Sequence, residues 1–437
     1  MVAGEGVVGA AGSGGAAGWP GRRDPGLDLV KGIACLAMLV AHVGAGGLAS
    51  GEAGAGLGWT LNFFGGYAPV LFYAVAGVTT LYQLRQRSFG LLVRIYAGMF
   101  VLGYLYAWVW HPGAIVADIL QIIAMGVVAT AGVALLLDRI GSVLPAARWA
   151  VWLCLAPIPF LLHLMGRRLH LPFPVAGFLF VPGVFPIFPW LSFFWWGIFA
   201  YGSPGRWRTG ALLAALLVVA GLFFGAGEPL EKWNMNLSYY ALGVALIMLA
   251  LRPGQGAETA GPARAMPRLG VGGLVARGRG AAGRWLHWLG RYSLVFLFAH
   301  LALNWALSER LGSTWGGLHY VWKWPLALAA SSLLMAVHLW VNRWLFGRLP
   351  WEESCWPWVA LLLAGLAAGY RVAGMSAETS LAILYATGLV WAANYHRLSR
   401  LVQSWSGDSA PPRRPEGRFS RLARILASSR SHTSVWL

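Results

Sequence analysis

Charged residues, and acidic residues above all, are scarce in this chain. Charged side chains make up 11% of its 437 residues, and 15 acidic residues stand against 33 lysines and arginines. Because soluble globular domains carry about 25% charged residues, the composition excludes that class. Hydrophobic residues reach 58% and the mean hydropathy is +0.62. These values indicate a polytopic integral membrane protein.

Cysteine is rare as well. The chain has three cysteines, Cys35, Cys154 and Cys355, of which the first two lie in the middle of apolar runs. This number and spacing predict neither a disulfide framework nor a zinc site. We therefore expect buried cysteines that pack as small apolar residues, and no metal cofactor.

Long apolar runs dominate what remains. Each is about 17 to 25 residues long, enough for a helix to cross the hydrocarbon core of a bilayer. We predict an all-α membrane protein, a bundle of about 10–12 transmembrane helices. The predicted spans lie near 27–49, 62–83, 91–110, 115–137, 148–166, 184–202, 209–225, 236–252, 286–307, 322–342, 356–374 and 379–396.

The distribution of lysine and arginine predicts the topology. If the N-terminus is cytoplasmic, 26 of the 33 basic residues fall on the cytoplasmic side and 6 on the other, with Arg291 inside a span. This asymmetry favours both termini inside, in a multi-pass protein of the plasma (inner) membrane. The net charge of +18 then reflects topology and contact with anionic lipids rather than nucleic-acid binding.

The segments outside the transmembrane domain, which we place at 26–398, are rich in glycine, alanine and arginine. Residues 1–25 are predicted to be a disordered cytoplasmic tail, and 253–283 a flexible cytoplasmic loop. Residues 399–437 form a basic cytoplasmic tail. Its stretch from Arg418 to Leu426 has the pattern of a short amphipathic helix on the inner leaflet.

Two ionisable residues lie in the first span, Lys31 and His42. Such groups are costly inside a membrane and are therefore candidates for function. Eleven residues separate them, so they share one helix face about 16 Å apart along the axis. His42 is the residue of this span that titrates near neutrality, as a base for acyl transfer requires. The alternatives are a histidine that packs against a backbone carbonyl and a lysine that sets topology.

Other polar residues are weaker candidates. Asp118 begins the fourth span at the level of His42 and would orient the imidazole or a substrate, or else cap its own helix. Ser293 and His300 are seven residues apart and share a helix face. For His300 we expect a packing hydrogen bond rather than catalysis.

Several sequence blocks resemble one known family. Lys31 and His42 form a basic-x10-His motif, preceded by Leu27-Asp28. Further blocks follow in the order Ala68-Pro69-Val-Leu-Phe72, Asp118-Ile-Leu-Gln121, Phe185-Pro186-Ile-Phe-Pro189-Trp190, Lys232-Trp-Asn-Met-Asn236-Leu-Ser238-Tyr239 and Leu289-Gly290-Arg-Tyr-Ser293. The set resembles the heparan-alpha-glucosaminide N-acetyltransferase-like branch of the transmembrane acyltransferase-3 superfamily, over most of residues 22–307.

The resemblance implies transfer of an acyl group, often acetyl, from a cytoplasmic acyl-CoA to a sugar or glycan on the far side of the membrane. It implies that His42 acts as base or acyl carrier, with Asp118 beside it. It also implies that Lys31, Arg85 and Arg291 bind the donor, and that the acceptor is bound by Asn236, Ser238, Tyr239 and Trp190. For Trp190, one of 25 tryptophans, an interfacial packing role is the alternative.

Two other functional classes suit the same hydrophobic bulk. A proton-coupled secondary transporter of a small polar or sugar-like solute would also use intramembrane His and Asp. However, the long loop does not divide the chain into six and six spans. A membrane scaffold would not account for Lys31 and His42 on one face. The sequence leaves a homodimer open.

Overall fold

A computed structural model of the chain consists of helices, and no described residue lies in a strand. The structure describes residues 24–44, 63–110, 117–140, 148–169, 178–180, 185–228, 230, 232, 235–251, 280–318, 320–346, 362–366, 368–369, 373–374 and 376–395. The predicted basic C-terminal tail and nearly all of the predicted N-terminal tail and cytoplasmic loop lie outside these residues.

Thirteen α-helices follow one another in the described part of the chain. They are α1 (Pro25–Gly44), α2 (Ala68–Gln86), α3 (Phe89–Trp110), α4 (Ile119–Ile140), α5 (Arg148–Leu155), α6 (Ile158–Gly166), α7 (Ile187–Gly202), α8 (Gly205–Ala220), α9 (Leu237–Ala250), α10 (Ala281–Arg291), α11 (Ser293–Gly317), α12 (Tyr320–Phe346) and α13 (Ala377–Asn394). A π-helical turn, Gly221–Gly225, continues α8.

Eight helical segments are long and apolar enough to cross a membrane, and α9 is a shorter apolar helix. The protein is therefore an all-α polytopic membrane protein, and the predicted fold class is confirmed. Eleven of the twelve predicted spans coincide with a described helix or helix pair. The span predicted at 356–374 lies mostly outside the described residues.

Two boundaries differ from the prediction. The span predicted at 286–307 is in fact two helices, because the chain bends at Tyr292 between α10 and α11. The first of these, α10, is amphipathic and includes Ala281–Gly283, which we predicted as loop. At the N-terminus, Pro25 begins α1 rather than ending a disordered tail.

Glycines allow the closest helix contacts. A Cβ on Gly290 of α10 would overlap the backbone carbonyl of Asp28 in α1, and one on Gly32 would overlap that of Leu286. Gly77 of α2 and Gly197 of α7 meet backbone of the facing helix in the same way. Since apolar side chains gain little by leaving lipid, close backbone packing of this kind holds membrane helices together.

The helix termini meet in two groups. At one end, which we call the basic end, α1 begins, α2 and α7 end, and the Tyr201 hydroxyl donates to Asp24 Oδ2 at 2.6 Å. At the opposite end, the Phe185 amide donates to the Ala117 carbonyl at 3.1 Å. These groupings agree with the two sides predicted from the basic residues.

Candidate functional site

A cleft of about 470 Å³ opens at the basic end. It is lined by Pro25, Asp28, Arg284, His287, Trp288, Arg291, Tyr292 and Arg343, from α1, α10, the bend that follows α10, and α12. The three arginines are exposed. Three guanidinium groups around one cleft can bind a ligand with several phosphate oxygens, because each presents N–H donors in a fixed fork.

Arg291 occupies a place that the sequence did not predict. We expected it inside a span, whereas it is the last residue of α10 and lines the cleft. The amphipathic sequence of α10 explains the difference, since Arg284, His287 and Arg291 follow one helix face while Leu289 and Gly290 are buried. The structure thus places Arg291 in the lining of the cleft, where a ligand in the cleft could reach it.

Lys31 stands behind the cleft rather than in its lining. Its Nζ lies 3.0 Å from Asp28 Oδ1, one helical turn earlier in α1. The Asp28 carboxylate lines the cleft, where it would repel an anion if it were not paired. Lys31 therefore neutralises the one acidic side chain of the described cleft lining.

Arg85 lies outside the cleft at the same end of the bundle. Its guanidinium carbon is 5.9 Å from the centre of the Tyr82 ring. The Tyr82 hydroxyl is 2.8 Å from that of Tyr201, which donates to Asp24. Asp24 directly precedes Pro25 of the cleft, so this network adjoins the cleft without lining it.

His42, near the C-terminal end of α1, pairs with His300 of α11. Nδ1 of His42 lies 2.7 Å from Nε2 of His300, and Nδ1 of His300 lies 2.8 Å from the Phe296 carbonyl. His300 is fully buried, whereas His42 is exposed. The predicted packing bond of His300 is present, and the His42 contact comes in addition to it.

The close packing of α1 and α10 explains why the two rings meet. His42 lies ten residues beyond Gly32, and His300 lies ten residues beyond Gly290. At about 1.5 Å per residue, His42 stands roughly 15 Å along α1 from the point where the glycines pack together. On the other side of that point the chain bends at Tyr292 before α11 begins, and His300 lies on α11. The crossing of α1 and α10 places α11 alongside the later part of α1, where the two rings meet.

A lysine from the opposite end of the bundle acts electrostatically on His42. Lys232 lies in the loop before α9, and it and His42 interact electrostatically. Its Nζ is 5.3 Å from the centre of the Phe185 ring. Burial lowers the pKa of Lys232 from its ordinary 10.5 to about 8, an effect that Asp118 partly opposes.

Asp118 has one of the two roles considered for it, that of capping its own helix. Its Oδ1 accepts the Ile119 amide at 2.6 Å, which caps the first turn of α4. Its charge also acts on Lys232 and on Tyr73. The capping role is thus present, and the predicted catalytic role stays a prediction.

The predicted acceptor ligands lie at this same end. Asn236 caps α9 by accepting the Tyr239 amide at 3.1 Å, and the Tyr239 hydroxyl donates to the Gly66 carbonyl at 2.7 Å. Trp190 is 1% exposed and packs against Tyr73 with ring centres 5.5 Å apart. These contacts are those of capping and packing residues, so their binding of a sugar stays a prediction.

Three hydroxyls in or next to α2 and α9 are buried without a hydrogen-bond partner among the described residues: those of Tyr67, Tyr73 and Ser238. Buried hydroxyls are normally paired, so unpaired ones point to a polar guest such as a water or a ligand hydroxyl. Tyr67 stacks on Tyr239 with ring centres 4.4 Å apart. Of the residues predicted to bind the acceptor, Ser238 is the one whose side-chain hydroxyl has no hydrogen-bond partner among the described residues.

Sequence reasoning missed His300 as the partner of His42, and it missed Lys232. The spacing of His300 from Gly290 equals that of His42 from Gly32, but this signal has meaning only once the two glycines are known to meet.

The chain matches no protein-family model, no curated protein and no solved structure.

Proposed function

We propose that this protein is a membrane acyltransferase. It moves an acyl group, most simply acetyl, from a cytoplasmic acyl-CoA to a sugar or glycan on the other side of the membrane. One observation carries the proposal: α1 connects a cleft with three arginines at one end to an exposed, hydrogen-bonded histidine toward the other. The ordered motifs that resemble the heparan-alpha-glucosaminide N-acetyltransferase-like branch support it.

The separation of the two features suits an acyl-CoA. Asp28 of the cleft and His42 are fourteen residues apart on α1, or about 21 Å along the axis. Acyl-CoA carries its phosphates at one end of a long flexible pantetheine arm and its reactive thioester at the other. Arg284, Arg291 and Arg343 would bind the phosphates while the arm extends along α1 toward His42.

The chemistry follows from an imidazole beside the thioester carbonyl. His42 takes the proton of the acceptor hydroxyl or amine as the oxygen or nitrogen attacks the carbonyl carbon. The carbon–sulfur bond then breaks, and the thiolate of CoA receives the proton from His42. If His42 instead carries the acyl group, its nitrogen attacks the carbonyl carbon and the CoA thiolate leaves. The acceptor then displaces His42 from the acyl carbon, and the proton of the acceptor passes to the thiolate.

The acceptor would reach His42 from the opposite end. The unpaired hydroxyls of Tyr67, Tyr73 and Ser238 support a guest that offers several hydroxyl groups, as a sugar does. The basic end, with the cleft, would face the cytoplasm, where acyl-CoA is found and where arginine-rich segments are retained. Both termini would then be cytoplasmic.

The test uses the full chain in lipid nanodiscs with acetyl-CoA labelled in its acetyl group. Glucosamine, N-acetylglucosamine and a glucan oligosaccharide serve as acceptor probes, and free CoA thiol is measured alongside. We expect labelled sugar and stoichiometric thiol, both strongly reduced with His42→Ala. If acetyl-CoA neither binds nor is consumed, the proposal is wrong. Proton-driven uptake of unmodified sugar into proteoliposomes would establish the transporter instead.

A further inference from the structure

The hydrogen bonds of His42 and His300 form one chain that ends on a backbone carbonyl. The Phe296 carbonyl contacts Nδ1 of His300 at 2.8 Å, and Nε2 of His300 contacts Nδ1 of His42 at 2.7 Å. The ring planes are within 5° of parallel and their centres are 5.0 Å apart. With a nitrogen–nitrogen contact this short, the rings lie side by side in one plane, which aligns an N–H with a ring lone pair.

The network assigns the protons. A carbonyl oxygen only accepts, so Nδ1 of His300 carries a hydrogen. In a neutral imidazole the other nitrogen is then an acceptor, so Nε2 of His300 receives a hydrogen bond. The donor must be Nδ1–H of His42. Nε2 of His42 is therefore left with a free lone pair on the exposed ring.

We propose that His300 is a positioning residue that holds His42 in the tautomer with Nδ1 protonated and Nε2 ready to accept a proton. This inference rests on the proposed function and deepens it by naming the atom that acts. His300 is buried and takes no part in the chemistry itself. A base held by a third group is the arrangement that orients histidines in enzymes with a carboxylate partner, and here a neutral imidazole backed by a carbonyl has that role.

The same chain stabilises His42 after it accepts a proton. The imidazolium would donate through Nδ1 to the neutral Nε2 of His300, and hydrogen bonds from a charged donor are shorter and stronger than neutral ones. The hydrogen on Nδ1 of His300 stays on that nitrogen throughout and is donated to the Phe296 carbonyl. No proton needs to leave the pair toward the bundle interior.

Two substitutions separate positioning from packing. In His300→Met the side chain fills much of the space but offers no comparable acceptor, whereas in His300→Gln the amide oxygen can accept from His42. We expect His300→Met to lower kcat for acetyl transfer by about 10–100-fold, the usual cost of losing an orienting partner. KM for acetyl-CoA should stay unchanged, and His300→Gln should recover a substantial part of the loss.

A spectroscopic measurement tests the tautomer without relying on acyl transfer. The full chain, labelled with ¹⁵N-histidine in nanodiscs, is compared with His42→Gln to assign the His42 signals among the ten histidines. Wild type should show a protonated Nδ1 and an unprotonated Nε2, and His300→Met a loss of this preference. A protonated Nε2 in wild type overturns the inference, as does a well-folded His300→Met with unchanged kcat. Absence of acyl transfer in wild type would overturn only the proposed function.

Discussion

Gly32 and Gly290 pack so closely that neither position has room for a side chain. A Cβ on Gly290 would overlap the Asp28 carbonyl and lie 2.8 Å from the Gly32 amide nitrogen. This contact joins the helix that carries Lys31 and His42 to the helix that supplies Arg284 and Arg291. It holds together two of the helices that line the basic cleft, and α11, which follows α10 after the bend at Tyr292, carries His300 to His42.

Replacing Gly290 tests this contact. We expect Gly290→Ala to lower the free energy of unfolding by about 1–3 kcal/mol, the cost of forcing a methyl group into a filled contact. The matched control is Gly210→Ala in α8, where a Cβ meets nothing within 4 Å. That control should be neutral or stabilising by roughly 0.5–1 kcal/mol. Thermal unfolding in detergent measures both, and equal melting temperatures for the two variants would contradict the tight crossing.

The basic cleft predicts a specific loss of donor affinity. Arg291→Gln removes a guanidinium from the lining, and a hydrogen bond to a charged group is worth about 1.5–3 kcal/mol. The Kd for acetyl-CoA should therefore rise about 10–100-fold, as titration calorimetry would measure. Arg206→Gln makes the same charge change at an exposed site at the start of α8 and should have little effect. Equal effects of the two variants would rule out a phosphate contact at Arg291.

The pairing of Lys31 with Asp28 leads to a double-mutant prediction. Lys31→Gln leaves the Asp28 carboxylate unpaired in the cleft lining and should weaken acetyl-CoA binding, whereas Lys31→Arg should largely retain it. Adding Asp28→Asn to Lys31→Gln should restore binding, with a coupling energy of about 0.5–3 kcal/mol. If the double variant binds no better than Lys31→Gln alone, Lys31 acts on the donor directly.

The proposed role of His42 as the base is tested by His42→Ala. We expect acetyl transfer to fall by about 10²–10⁴-fold, the usual contribution of a positioned base, while acetyl-CoA binding stays normal. His338→Gln is the control, because His338 is another histidine within a long apolar helix and bonds a backbone carbonyl, that of Leu389, at 3.0 Å. A folded His42→Ala protein that transfers acetyl at the wild-type rate would remove the central residue of the proposed mechanism.

Lys232 predicts how stability depends on pH. Its pKa is about 8 in the folded protein against an ordinary 10.5, so between these values the unfolded chain binds more protons than the folded one. Stability must then rise as the pH increases from 8 to 10.5, by at most about 1.4 kcal/mol per pH unit. The difference in unfolding free energy between wild type and Lys232→Met, measured in mixed micelles across this range, should shift in favour of wild type. A flat difference would show that burial does not disfavour the Lys232 charge.

Local patterns were sufficient for most of the helices. A run such as 91–110 has to be helical in a membrane, because only a helix satisfies its own backbone groups there. The single span predicted at 286–307 was wrong, because this stretch contains the end of the amphipathic α10 and the start of the apolar α11. That prediction also placed Arg291 inside the membrane. The sequence also predicts helix capping, because Asp118 and Asn236 stand directly before helices. In the structure each side chain accepts a backbone amide at the start of the helix that follows it.

The sequence by itself determined the fold class and the grouping of helix ends, and it marked Lys31 and His42 as candidate functional residues. Each of these follows from composition and spacing within one stretch of chain. Only the tertiary structure decided that His300 is the partner of His42 and that Arg284, Arg291 and Arg343 share one cleft. The two histidines are 258 residues apart, and they meet because Gly32 and Gly290 allow two distant helices to pack closely. No periodicity within either helix specifies that contact.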